Sequence, residues 1–168
     1  MDPRVSMLSP SYIQLRPIRS HSTLLGDIGR ALADLIVREV PAANAVVGIP
    51  MAGIPIAVPI ALASELRGCY TRPFEAEDRG EHSLVEGILR DNDRLVLVDD
   101  VVTRFDTKAK SDSSGSRRGQ GAINRRYLHD VAVVIDRAQG GDIEARRVGC
   151  QIHSLLKLDE LNLGIGLS

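Results

Sequence analysis

The sequence predicts an α/β domain: a mainly parallel sheet flanked by helices. Short aliphatic runs recur along the chain, and apolar stripes of helical period alternate with them in its first half. Continuous aliphatic runs read as strands buried on both faces, which is what parallel strands between layers of helix require. The run Leu95-Val96-Leu97-Val98 passes straight into Asp99 and Asp100. Adjacent carboxylates have no structural use at the end of a buried strand, because burying unpaired charge is costly. In an open α/β sheet the carboxyl ends of the strands are where ligands sit.

In chain order, the first twenty residues are expected to be irregular, with Pro3, Pro10 and Pro17 interrupting any helix. Ser20 or Ser22 is placed to cap a helix carrying Leu24, Leu25, Ile28, Ala31, Leu32, Leu35 and Ile36 on one stripe, and Pro41 ends it. Residues 45–49 form a short buried strand. A turn at 50–53 then leads into an Ala-rich helix that Pro59 bends and Gly68 terminates. Strands follow at 69–72 and 84–89, separated by the polar stretch 74–83, which reads as an exposed loop. The central strand is 94–98, with the two acids just beyond it. Residues 110–126 mix Ser, Gly and Arg without apolar period and read as a flexible loop. Further strands are expected at 131–135, ending at Asp136 and Arg137, and at 149–155, with a short helix near Asp159.

At 168 residues the chain is most simply one domain, 1–168, long enough for a full sheet core. Aromatics make up 3% with no Trp, so the core must be aliphatic. A net charge of −1 gives no reason to expect nucleic acid or membrane as a partner. The Arg117-Arg118 and Arg125-Arg126 pairs read as a solvated loop on the same ground. With no leader and no apolar run of spanning length, a cytoplasmic protein is expected. Cys69 and Cys150 belong to no Cys-x-x-Cys pair and are expected as buried thiols in a reducing compartment. The four histidines show no ligand spacing. The first lysine is Lys108, which excludes any mechanism needing a lysine earlier in the chain.

Parallel strands bring their carboxyl ends to one edge, so the segments 49–53, 99–107 and 136–141 should converge there. The small-residue turn Pro50-Met51-Ala52-Gly53 precedes a helix and offers free backbone N–H groups to an anion. Asp99 and Asp100 suit a ligand with adjacent hydroxyls, a divalent metal, or a developing positive charge.

These residues carry a family resemblance. Val96-Leu97-Val98-Asp99-Asp100-Val101-Val102-Thr103 resembles the phosphoribosyl-pyrophosphate (PRPP) motif of type I phosphoribosyltransferases. Three further stretches resemble the orotate branch. Ser9-Pro10-Ser11-Tyr12-Ile13-Gln14-Leu15-Arg16 is similar to its Ser-Pro-x-Tyr-x-x-Leu-Arg segment. Val134-Ile135-Asp136-Arg137-Ala138-Gln139-Gly140-Gly141 is similar to its Val-Leu-Asp-Arg-x-Gln-Gly-Gly segment. His153-Ser154-Leu155 and Leu158-Asp159-Glu160-Leu161 are similar to its closing pieces.

The resemblance implies the type I phosphoribosyltransferase fold, with residues 1–20 in a small hood, and a homodimer. It implies transfer of phosphoribose from PRPP to orotate, giving orotidine 5'-monophosphate and pyrophosphate with Mg2+ as cofactor. Asp99 and Asp100 would hold the two ribose hydroxyls, directly or through the metal, and favour the cationic ribose as pyrophosphate departs. Thr103, Arg104 and Thr107 would receive the 5-phosphate, and Met51, Ala52 and Gly53 would face the pyrophosphate. Arg137 would pair with the orotate carboxylate, a task suited to a planar two-pronged guanidinium. Arg4 and Tyr12 fall on the substrate side of the amino-terminal segment.

Two departures from the family pattern matter. Its phosphate loop reads Thr-Thr-Gly-Gly-Ser, against Thr103-Arg104-Phe105-Asp106-Thr107 here; Phe105-Asp106-Thr107-Lys108 resembles a sub-branch with Phe-Asp-Ser-Lys at this place. The catalytic loop reads Arg-Lys-Glu-x-Lys-x-His-Gly in the family. Here it is Pro73-Phe74-Glu75-Ala76-Glu77-Asp78-Arg79-Gly80, which puts Glu77 where a lysine is expected. Arg79 is left as the catalytic-loop cation and Arg72 as its substrate-binding neighbour. Two other functions therefore stand beside orotate transfer: a non-catalytic or regulatory nucleotide-binding homologue, and a phosphoribosyltransferase for another base.

Overall fold

A computed structural model describes residues 13–71, 85–105 and 129–159. A 3-10 helix, Arg16–Ser20, opens the described part with Pro17 in its first turn. Pro17 thus begins a short helix instead of breaking one, since its missing N–H would have had no partner there. The first α-helix, α1, is Ser22–Glu39, and it buries Gly29, Leu32, Ala33 and Ile36. The expected serine cap is absent: His21 precedes the helix, no side chain caps it, and Ser22 is already its first residue.

Strand β1 is Ala43–Gly48, helix α2 is Gly53–Ala63 and strand β2 is Arg67–Thr71. Helix α2 continues through Pro59 and stops five residues short of Gly68. Its terminator is Ser64, whose hydroxyl donates to the Ile60 carbonyl (2.8 Å) and accepts from Leu66 N (3.3 Å), competing with the helical ladder. Pro59 marks the crossing of the two helices, since a Cβ on Gly29 would fall 2.4 Å from that of Pro59. Of the strand expected at 84–89, the described residues form the pair Val85–Glu86, β3, antiparallel to β2.

Strand β4 is Arg94–Val102, β5 is Asp130–Asp136, α3 is Gly141–Arg147 and β6 is Gln151–Lys157. The sheet order is β3-β2-β1-β4-β5-β6, parallel throughout except at β3. Connections run outward in opposite directions from the β1–β4 pair, which makes that junction the switch point of the sheet. Period-two alternation divides the strands between two cores. Val46, Val96, Val98, Ala132 and Val134 pack with α1 and α2, whereas Ala45, Val47, Leu95, Leu97, Val131 and Val133 join Ala145 of α3. No described helix is long and apolar enough to cross a membrane.

Opposite the switch-point edge, buried polar groups tie the entry ends of the strands together. Asp130, 1% exposed, accepts from Arg94 Nε (2.8 Å) and lies 3.0 Å from His153 Nε2, linking β4, β5 and β6. Arg94 N also donates to Asn44 Oδ1 (2.9 Å), bringing in β1. A buried carboxylate of this kind is tolerated because it is paired on both sides.

Candidate active site

The turn after β1 is seated directly on β4. Ile49 N donates to Val98 O (2.9 Å), and Gly53 N donates back to Ile49 O (2.9 Å). A Cβ on Gly53 would lie 1.9 Å from Val98 O, so only glycine lets the start of α2 approach the strand this closely. Met51, in the middle of the turn, is exposed, Ala52 is half-buried, and the Pro50–Met51 peptide is cis.

Asp99 and Asp100 do not follow the strand, as expected, but lie within it. Strand β4 outlasts β1: the β1 ladder stops at Gly48 opposite Val98, while β5 keeps pairing as far as Val102 opposite Asp136. A ladder partner, which no local pattern reveals, holds the acids in extended backbone. Both are half-buried beside the turn. Burial pushes the Asp99 carboxyl up to about 7, with the negative charge of Asp100 adding to the rise and the Asp100 N–H, donating to Asp99 Oδ1 at 2.9 Å, opposing it.

Beyond β4 lie Thr103, half-buried, and Arg104, exposed, followed by Phe105 in the left-handed region at φ +45°. The end of β5 is stitched to them by Arg137 N donating to Val102 O (3.0 Å). Asp136, 4% exposed, accepts from Ala138 N (2.9 Å) and shapes the turn into α3. A Cβ on Gly141 would stand 2.9 Å from Thr103 O and 3.3 Å from Phe105 N, so α3 also begins in contact with this loop.

As far as they are described, to Phe105 in the second, the three segments converge as expected, and Met51, Ala52, Gly53, Asp99, Asp100, Thr103, Arg104 and Arg137 share one edge of the sheet. Arg4, Tyr12, Arg72, Arg79 and Thr107 lie outside the described residues, as do Glu77, Asp106 and the 110–126 segment. Sequence reasoning passed over α3 and the packing of Phe105, and named Gly141 without giving it a role. The signals for α3 were slight: Asp142 and Glu144 in its first turn, Arg146 and Arg147 in its last. Cys69 and Cys150 are both buried thiols, and burial raises both, Cys150 up to about 12, which disfavours the reactive thiolate at neutral pH.

The chemistry of the acid pair also fits a magnesium ion. Hard carboxylate oxygens are its preferred protein ligands, and a nearby cation would favour the ionised Asp99 that burial and the charge of Asp100 oppose. Among the described residues no cluster of three or more ligating side chains occurs.

Paired acids between two turns, at the switch point of a parallel sheet, form the arrangement that the resemblance to type I phosphoribosyltransferases implies. The orotate phosphoribosyltransferase of Aeropyrum pernix has this fold, with a TM-score of 0.71 at 26% identity over 95% of this chain and 86% of that one. In sequence the chain is 36% identical to the orotate phosphoribosyltransferase of Lactobacillus johnsonii, covering 74% of this chain and 61% of the relative's length. It is 30% identical to that of Aquifex aeolicus, covering 92% and 82%. No protein-family model matches the chain. The chain belongs to the orotate phosphoribosyltransferase family.

Proposed function

We propose that this protein transfers phosphoribose from PRPP to orotate, forming orotidine 5'-monophosphate and releasing pyrophosphate. The observation that carries the reading is the seat of Asp99 and Asp100, on the stretch of β4 between the turn at 50–53 and the loop beginning at Thr103. Asp99 and Asp100 hold the ribose hydroxyls and surround the anomeric carbon with negative charge. The orotate ring nitrogen bonds that carbon as its bond to the pyrophosphate oxygen breaks, the electron pair leaving with pyrophosphate and the nitrogen's proton passing to solvent. Charge stabilisation of this kind is worth about 3 kcal/mol per well-placed group. Backbone at Met51, Ala52 and Gly53 faces the pyrophosphate, while Thr103, Arg104 and Thr107 take the 5-phosphate. Arg137 pairs with the orotate carboxylate, Arg4 and Tyr12 complete the substrate side, and Arg72 and Arg79 supply positive charge to the leaving group. Asp99 and Asp100 are the residues that would hold Mg2+, which would supply neutralisation of phosphate charge.

The working form is a cytoplasmic homodimer in this reading. Helix α2 carries no polar side chain from Gly53 to Ala63 beyond its backbone, yet Val58 and Leu62 are 55% and 83% exposed. A helix apolar on every face is normally covered, and an uncharged surface matches a second copy of itself.

The test is pyrophosphate release from PRPP and Mg2+ with orotate, uracil or purine bases. Turnover with orotate alone upholds the proposal. PRPP binding without turnover would make the protein a binding homologue, and turnover only with another base would reassign its acceptor.

A further inference from the structure

We propose that Phe105 is a positioning residue: its ring anchors the Thr103–Phe105 backbone as a preformed cradle for the 5-phosphate of PRPP. The inference rests on the functional reading above and concerns how this chain builds a phosphate loop without glycine. Phe105 sits at φ +45°, a left-handed conformation that glycine adopts freely and a bulky side chain adopts only when the surroundings hold it there. Two features of the structure do so. The half-buried Phe105 side chain packs against the core cluster that includes Val102 and Ala145, and so fastens the loop from within. From the other side, the bare backbone of Gly141 leaves room for nothing larger between α3 and the loop, with Thr103 O at 2.9 Å and Phe105 N at 3.3 Å from where a Cβ would stand. The Arg137 N bond to Val102 O closes the same corner.

A loop clamped from two sides has already lost the freedom that a loop with two glycines gives up on binding. Preorganisation of that kind improves affinity for the phosphate without acting on the anomeric carbon. Loss of the anchor should therefore appear in binding and not in the chemical step, which is the signature of an interaction made equally in ground and transition states.

The experiment compares Phe105→Leu, Phe105→Ala and Phe105→Gly. It measures KM for PRPP and kcat, Kd for ribose 5-phosphate by calorimetry, and near-ultraviolet circular dichroism as a check of folding. Phe105→Ala and Phe105→Gly should raise both KM and Kd by about tenfold or more, with kcat changed by less than about threefold, and Phe105→Leu should recover most of the affinity. Glycine is the informative substitution, because it suits the left-handed backbone better than phenylalanine does. If Phe105→Gly binds as tightly as the native protein, the backbone angle alone matters and the anchor is refuted. Equal losses of kcat and affinity in all three variants, or no rescue by leucine, would refute it as well. A native protein that binds neither ribose 5-phosphate nor PRPP would overturn the functional reading and this inference together, whereas native binding that phenylalanine removal leaves intact overturns the inference alone.

Discussion

Replacing Asp99 by Asn should make the unliganded protein more stable, and increasingly so as the pH rises. The carboxyl is raised from 3.8 to about 7 by burial and by Asp100, so the native state keeps a proton that the unfolded chain has released. Unfolding stability therefore falls as pH climbs from near 4 to near 7, because the folded form binds more protons over that interval. Three pH units at about 1.4 kcal/mol each set an upper limit of about 4 kcal/mol. Partial contact of this half-buried group with water brings the expected value nearer 2 kcal/mol. Asn keeps an oxygen able to accept from Asp100 N and cannot ionise, so the variant escapes the penalty. Urea unfolding of both proteins at pH 5, 6, 7 and 8 measures the gap directly. It should widen with pH and level off above 7; a gap independent of pH, or one favouring the native protein at pH 8, would refute the account of Asp99.

Gly53→Ala should cost about 1–3 kcal/mol in urea unfolding, because a Cβ would be forced onto the Val98 carbonyl at 1.9 Å. Unchanged stability would mean that α2 does not dock on β4 as described. Asp130→Ala removes the shared partner of Arg94 and His153 and should cost about 3–5 kcal/mol by calorimetric or urea unfolding. If the proposed homodimer forms through α2, Leu62→Glu should leave only monomer in light scattering after size exclusion, and a native protein already monomeric at micromolar concentration would refute the proposed interface. Each measurement addresses a different part of the molecule.

The fold was largely legible because aliphatic runs such as Leu95 to Val98 and Val131 to Ile135 can only be satisfied between two layers. The converging edge followed from parallel strands alone. What escaped were features decided by neighbours distant in sequence. The extension of β4 through Asp99 and Asp100 depends on β5 supplying partners as far as Asp136. Helix α3 is too short for a period to be seen, and the end of α2 turned on one hydroxyl at Ser64. The place of Phe105 in the core cluster could not be inferred from a residue standing where the resemblance leads one to expect glycine. The places of Asp99, Asp100 and Arg137 on this edge were legible because charge at the end of a buried run is conspicuous, whereas Gly141 acts only through the backbone it lets in.

The Arg94–Asp130–His153 clasp lies at the pole of the sheet remote from the reactive rim. A fastening there decouples the integrity of the scaffold from the identity of the side chains that greet the ligand. Loops at the rim are consequently at liberty to diverge, and the exchange of a flexible glycine for Phe105 leaves the frame beneath it undisturbed. Such a division of labour lets one architecture explore new chemistry at its mouth while its foundations stay put.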